Sequence, residues 1–428
     1  MSLHSTARNL WHRSKVVRPV YWFLFYQYRN ITHTFPLTRM YYDHRKDVTY
    51  HKFFPSVYNA RRSEPVDETK VIFLENVQPK LTSNVELIYR RLEASGRYTI
   101  HRHCLKNTIA YRREWKALCV KFLEDLATAK YVFVTEGSQV LSCVDLRPET
   151  VVVQTWHACG AFKRFGYSTA DLLFGGDRQT QDMYPQNKNY TYVTVSSPEV
   201  SWAYVEAMRL EGREDVVRPV GVSRTDVFFD PKRIEKAREH IYAKFPAAKG
   251  RKIILYAPTF RGRTRDAEAP DKLDVRAFHK ALGRDYVLII KHHLLVRRLP
   301  PVPEDLKGSF VYDGSRDMDI NELLMVSDIC ISDYSSLIFE YSLMERPMLF
   351  FAYDLEDYFD WRGFYYPYDE MTPGPVCRTN EELIDYIRHV EERFDRKKVR
   401  DFRDRFMRSC DGRSTDRILR MVFGKDIG

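Results

Sequence analysis

Short hydrophobic runs recur along the chain, and most of them close on polar residues. From Lys70, KVIFLEN is an apolar run with a polar end, and the NVELIYRRLEAS that follows has apolar positions at helical spacing. AKYVFVTEG, TVVVQTWH and YTYVTVSS repeat the theme, each a β-branched or aromatic stretch that stops at polar residues. Strand-like runs alternating with helical patterns predict βαβ units and an open parallel sheet.

The rhythm breaks near residues 226–250, where DVFFDPKRIEKAREHIYAKFPAAKGR reads as a helix leading into a charged, glycine-containing turn. It then restarts through KIILYAPTF, YVLIIKHH, FVYDG, ICISDYSS and PMLFFAYD. Two α/β domains in tandem are expected, at residues 63–235 and 236–428, as befits a chain of 428 residues, too long for one small core. The closing segment opens with TNEEL, in which Thr379 and Glu382 form a capping box. It is expected to continue as one charged amphipathic helix to about residue 410.

Charge changes the picture at the N-terminus. The chain carries a formal +10, but residues 1–62 hold 11 Lys plus Arg against 2 Asp plus Glu, a balance of +9 that leaves +1 for the rest. Within this arm, WHRSKVVRPVYWFLFYQYRNITHTFPL has an apolar centre of about ten residues, half of the ~20 that span a bilayer. It has no small-residue cleavage site. Arg13, Lys15, Arg18 and Arg29 flank Tyr21, Trp22, Phe23, Phe25 and Tyr26, the composition of a segment lying against anionic headgroups. Residues 1–62 are therefore expected to be a basic, membrane-associating arm; the plainer alternative is a helix packed on the first domain. The seven cysteines (Cys104, Cys119, Cys143, Cys159, Cys330, Cys377 and Cys410) lack CxxC spacing and read as reduced thiols of a cytosolic protein, with no metal site expected.

In open α/β sheets ligands sit beyond the carboxyl ends of the strands, so the polar strand tips are candidates to line a shared cleft. His157 stands at one such tip, after Thr155 and Trp156. An imidazole titrating near neutrality can accept a proton from a hydroxyl nucleophile. Lys163 and Arg164 follow it, suited to an anionic acceptor or a phosphate. In the second half, Ser335 and Ser336 would place hydroxyls and backbone N–H groups at a helix start, where the dipole favours an anion. Thr259 and Arg261 follow one strand, and Lys291, His292 and His293 the next; together they describe a diphosphate site. Strand alternation sends one of the two histidines inward and the other outward. Arg224, in GVSRTDVF, reads either as a phosphate ligand or as a clamp to Asp226. There is no GxxxxGK[ST] loop, zinc-ligand spacing, Gly-x-Ser-x-Gly elbow or RNA-binding motif, so nucleic acid is not an expected partner.

Six ordered blocks, QTWHACGAFKRFG, GVSRTD, ILYAPTFRG, IIKHHLLV, ISDYSSLIFEYSLMERPMLFFAYDLEDY and RGFYYPYDEMTPGPV, resemble the CDP-glycerol glycerophosphotransferases that make teichoic acids. The resemblance spans about residues 70–390 and implies a GT-B architecture of two facing Rossmann-like domains. It also implies transfer of a polyol phosphate, glycerol phosphate first, from a CDP-polyol (CDP-glycerol or CDP-ribitol) to a hydroxyl of an anionic lipid-linked or growing polymer at the cytoplasmic face of the cell membrane. The family's TWHG histidine falls on His157, and the histidine of its second block on His293, with Lys291 in an arginine position. Its Ser-Ser pair falls on Ser335 and Ser336, its APT threonine on Thr259, and the position that often holds a ribose on Glu340. Ala158 and Leu294 depart from the family pattern. The resemblance implies that His157 takes the acceptor proton while His293, Ser335, Ser336 and Thr259 hold the developing charge, with no cofactor or catalytic metal required. A glycosyltransferase using a nucleotide sugar, or an inactive polymer-binding relative, are the alternatives.

Overall fold

The computed structural model describes residues 36–106, 112–170, 172, 175, 177–262, 267–356, 358, 363–424 and 427. The basic and aromatic residues of the arm between Arg13 and Arg29 lie outside the described residues.

Two six-stranded parallel sheets follow one another along the chain. The first contains β1 (Asp67–Glu75), β2 (Thr99–Cys104), β3 (Ala129–Val134), β4 (Val151–Gln154), β5 (Tyr192–Thr194) and β6 (Val217–Arg218), in the order β2-β1-β3-β4-β5-β6. The second contains β7 (Lys252–Tyr256), β8 (Tyr286–Ile290), β9 (Val311–Asp313), β10 (Ile329–Ser332), β11 (Met348–Phe351) and β12 (Val376–Cys377), in the order β12-β11-β10-β7-β8-β9. Every residue of β8, β10 and β11 is buried, because helices cover both faces of a parallel sheet and leave no solvent side to favour alternation. The strand order reverses between β1 and β3 in the first sheet and between β7 and β10 in the second. Crevices open at these switch points, and the second sheet has the dinucleotide-fold order.

Helix Pro231–Lys244, capped by the Asp230 carboxylate at Lys232 N, falls in the expected break and joins the two halves. The end of the chain departs from expectation. Thr379 does accept from Glu382 N, and Glu382 reaches back to Arg378 N, but the helix stops at Arg388. A short helix Val390–Arg393 follows, and Asp395 then caps a separate helix, Arg396–Phe406. The capping carboxylate competes for the N–H groups that a continuous helix would use internally, so the predicted single helix is three. The last helix, Ser414–Phe423, leaves the second domain altogether: Ile418, Leu419 and Val422 pack on Val71, Phe73, Phe133 and Val153 of the first sheet. The second domain's expected span, 236–428, thus ends with a helix that belongs to the first domain's core.

The arm is also divided. Phe54 and Tyr58, on helix Phe54–Arg61, are fully buried in the first domain's core, and the Tyr58 hydroxyl accepts from Arg147 N at 3.1 Å. Their role is structural, as in the plainer reading of the arm, so the first domain begins before residue 63. Among the described residues no helix is long and apolar enough to cross a membrane. Replacing Phe54 or Tyr58 with Ala should lower stability by about 3–5 kcal/mol in denaturant unfolding, as for other buried aromatics. Unchanged midpoints would show that this helix is not part of the core.

Candidate active site

The tip of β4 is shaped by a reversal of the chain. Thr155 N donates to Val134 O at 2.8 Å, carrying the ladder one step past the strand, and Trp156 N donates to the Gln154 side chain at 2.9 Å. Trp156 then adopts φ 54°, left-handed for a bulky residue, at a cost of order 1–3 kcal/mol. Its ring packs against His157, Phe165 and Tyr204, contacts that hold the conformation. The turn presents His157 with its side chain 40% exposed and Nδ1 at 3.0 Å from a Glu136 carboxylate oxygen. Nδ1–H donates to the Thr135 carbonyl at 3.4 Å with the Glu136 carboxylate alongside, so Nε2 carries the lone pair and is the nitrogen able to take a proton. Glu136 follows β3 by two residues, beside the switch point of the first sheet. It was not singled out in the sequence, where nothing showed that β3 and β4 would be neighbours.

Across from it, the second sheet's switch point is built from the loops after β7 and β10. Asp333 ties them together, accepting from Thr259 N at 2.8 Å and from the Arg261 guanidinium at 3.0 Å. Arg261 also grips Asp354 through two bonds of 2.7 and 2.9 Å, and the Tyr334 hydroxyl donates to the same carboxylate. Burial opposes the Arg261 charge, and the facing carboxylates more than offset it, so the guanidinium stays charged. Arg261, expected as a phosphate ligand, is therefore the brace of the loops that carry the site. The Thr259 hydroxyl is buried without a partner, and Ser335 and Ser336 lie half-buried at the start of helix Leu337–Ser342.

The two histidines after β8 separate as strand alternation requires: His292 is buried, and His293 is exposed with its ring 5.0 Å from that of Phe260. His293 Nδ1 accepts from Leu295 N at 3.2 Å, so the neutral ring carries its proton on Nε2 and is a donor. Lys291 is corrected. Its ammonium donates to the carbonyls of Gly314, Ser315 and Met318, bracing the loop after β9, and burial lowers its pKa.

Arg224 and Glu340 meet at the seam between the domains. The guanidinium donates to Glu340, whose carboxylate is buried, and burial works against the Arg224 charge while Glu340 restores it. The expected alternative of a clamp to Asp226 is overturned, because Asp226 instead accepts from Ser414 N and Thr415 N and caps the last helix. Arg224 Nε and Glu340 Oε2 are buried without partners. Arg224 also lines a cavity of about 420 Å³ between the domains, together with Arg90, Lys232, Arg233, Asp319 and Glu322. Lys163 and Arg164 lie along the same seam. Lys163 pairs by backbone with Phe364 and sits over the Tyr358 ring, and Arg164 donates to Glu206 at 3.3 Å.

Two Rossmann-like domains with polar side chains at their strand tips have the GT-B architecture. The chain belongs to the CDP-Glycerol:Poly(glycerophosphate) glycerophosphotransferase family, whose profile matches residues 56–424. It is 34% identical over 371 residues to the teichoic acid poly(ribitol-phosphate) polymerase of Bacillus spizizenii, an alignment covering 86% of this chain and 58% of that protein. It is 34% identical over 369 residues to the teichoic acid ribitol-phosphate primase of the same organism, covering 84% and 92%. The chain thus spans about three fifths of the polymerase and nearly the whole primase. The wall teichoic acid polymerase TagF shares the fold, with a TM-score of 0.71 at 21% identity over 90% of this chain and 96% of that one.

The seam makes a direct prediction. Arg224→Met or Glu340→Leu alone should cost about 3–5 kcal/mol by stranding a buried charge, whereas the double variant should recover most of that loss. Additive losses in a double-mutant cycle would show that the two side chains do not interact.

Proposed function

We propose that the protein transfers a polyol phosphate from a CDP-polyol to a hydroxyl of an anionic, lipid-linked or growing cell-surface polymer, releasing CMP. The observation that carries this reading is His157, whose Nδ1 faces the Thr135 carbonyl and the Glu136 carboxylate and so leaves Nε2 as the free base, on the domain opposite the hydroxyl-bearing switch point. His157 Nε2 takes the proton of the acceptor hydroxyl, and its oxygen forms a bond to the β-phosphorus. The bond from that phosphorus to the bridging oxygen breaks, and CMP leaves with the electron pair. Glu136 stabilises the imidazolium, while His293 Nε2–H and the hydroxyls of Thr259, Ser335 and Ser336 hold the phosphoryl oxygens. The protein supplies both base and charge stabilisation, so the step is assigned no cofactor. The two relatives named for ribitol phosphate support ribitol phosphate as the unit transferred, ahead of the glycerol phosphate expected from the sequence.

His157→Ala should lower CMP release from CDP-ribitol by roughly 10²–10⁴ with donor affinity nearly intact, and His293→Ala should lower turnover through weaker phosphate stabilisation. Full activity in the first variant removes His157 from the mechanism. Release of UDP or GDP from a sugar nucleotide, with none of CMP, overturns the whole reading.

Membrane attachment at the inner leaflet is assigned to the part of the arm before helix Phe54–Arg61, supported by its charge. Protein lacking residues 1–35 should lose sedimentation with anionic liposomes at ~0.1 M salt, where the Debye length is about 10 Å, and keep CMP release with a short soluble acceptor. Equal sedimentation of both forms would place the attachment elsewhere.

A further inference from the structure

Strand β2 forms the outer edge of the first sheet, three strands from β4 and so about 14 Å from it laterally at ~4.8 Å per strand. His101 and His103, two residues apart, share the face of β2 that is covered by helix Arg112–Leu126, where His103 packs against the Phe122 ring. Asp125, near the end of that helix, reaches both rings with one oxygen: Oδ2 lies 3.1 Å from His101 Nδ1 and 2.9 Å from His103 Nε2. The three potential ligand atoms all lie within 4.8 Å of one another.

We propose that His101, His103 and Asp125 form a zinc-type metal site that pins the edge strand to its covering helix. A tetrahedral zinc ion with bonds of about 2.0–2.1 Å sets its ligand atoms about 3.3–3.4 Å apart. The two carboxylate–imidazole separations need to open by only a few tenths of an ångström, and the third edge closes by rotation of His101, the more exposed of the rings. Two imidazoles and one carboxylate leave a fourth position for water, and the set suits zinc or cobalt better than calcium or magnesium. Lys70 stands 3.9 Å from the other carboxylate oxygen, Oδ1, and donates to Thr128 Oγ1 at 2.6 Å. It orients the carboxylate with Oδ2 toward the rings, and its charge weakens cation binding without blocking the ligand atoms.

The site is structural by position and independent of the transferase reading, since none of its residues reaches the strand tips of the cleft. It escaped the sequence because the HxH pair and Asp125 are 22 residues apart at the nearest and become neighbours only when the helix folds onto the strand.

The test uses the full chain, stripped with a chelator and titrated separately with Zn²⁺ and Co²⁺. One equivalent of either metal should raise the melting temperature, and Co²⁺ should develop the intense visible bands of tetrahedral coordination. In His101→Ala and Asp125→Asn the apparent affinity should fall at least tenfold and the melting shift should vanish. Arg102→Gln, on the opposite face of β2, should keep both. Circular dichroism of the metal-free variants checks that they are folded. Absence of a metal-dependent shift in the parent chain overturns the proposal, and so does an equal shift in His101→Ala and Asp125→Asn; the cluster is then a hydrogen-bonded histidine–aspartate–histidine bridge.

Discussion

Gly160 lies so close to the ring of Phe339 that a β-carbon there would fall 2.2 Å from a ring carbon, and its φ of 62° is one that side chains disfavour. This contact lets the loop after His157 lie flat on helix Leu337–Ser342, the element that begins with Ser335 and Ser336 in the preceding turn. Phe162 then meets both Phe339 and Phe364, and Phe339 stacks on Phe402. One apolar cluster runs unbroken from the first sheet through this seam into the second domain. The buried Arg224–Glu340 pair sits within it, where it adds directionality that apolar packing lacks, because each charge is tolerated only opposite the other. Under the proposed function the base and the phosphate donors come from different sheets, so their relative placement depends on this seam more than on either sheet alone.

The hydrogen bonds around the two histidines divide their roles before any substrate is considered. Each ring has its Nδ1 engaged, but in opposite senses. His157 Nδ1–H donates to the Thr135 carbonyl beside the Glu136 carboxylate, and His293 Nδ1 accepts from the Leu295 N–H. The first ring is thereby left with an accepting Nε2 and the second with a donating one. A phosphoryl transfer needs one of each, a base for the nucleophile and a donor for the charge that gathers on the phosphate. The strain at Trp156 belongs to the same design. A strand that continued straight would aim His157 along the sheet, whereas the left-handed residue turns it out of the strand while its own ring stays buried.

Much of this was legible in the sequence because parallel sheets write themselves as continuous apolar runs with polar ends. The tips at His157, Thr259, His293 and Ser335 could be read from that pattern, and alternation separated His292 from His293 once the strand end was known. Pairings between distant tips could not be read, because strand order is a property of the packed sheet. Glu136 beside His157, Glu340 beside Arg224 and Asp354 beside Arg261 all depend on which strands and domains become neighbours. The same limit explains the cations. Lys291, Arg261 and Arg164 look like phosphate ligands in a linear chain, but loops crowded at a switch point expose many carbonyls and carboxylates, and these cations neutralise and tether them. Helix Phe54–Arg61 was hidden differently, its two core aromatics lying within a segment whose overall composition is basic and polar.

The two sheets share a layout but not a topology, and that difference bears on which substrate goes where. In the second sheet the order reverses between β7 and β10, and Thr259 and Ser335 follow those two strands, so the crevice itself carries the hydroxyls and suits the diphosphate of a nucleotide. In the first sheet the reversal lies between β1 and β3, where Thr135 donates its hydroxyl to the buried Glu75 carboxylate and closes the crevice with an internal bond. His157 stands one strand further, past the tip of β4, and its Nδ1 reaches back to the Thr135 carbonyl and the Glu136 carboxylate just beyond β3. A domain whose own crevice is filled is poorly suited to a nucleotide, but it can present a base to a nucleotide held by its partner. Under the proposed function the first domain serves the acceptor and the second the donor, an asymmetry that follows from where each sheet reverses and from what fills the gap.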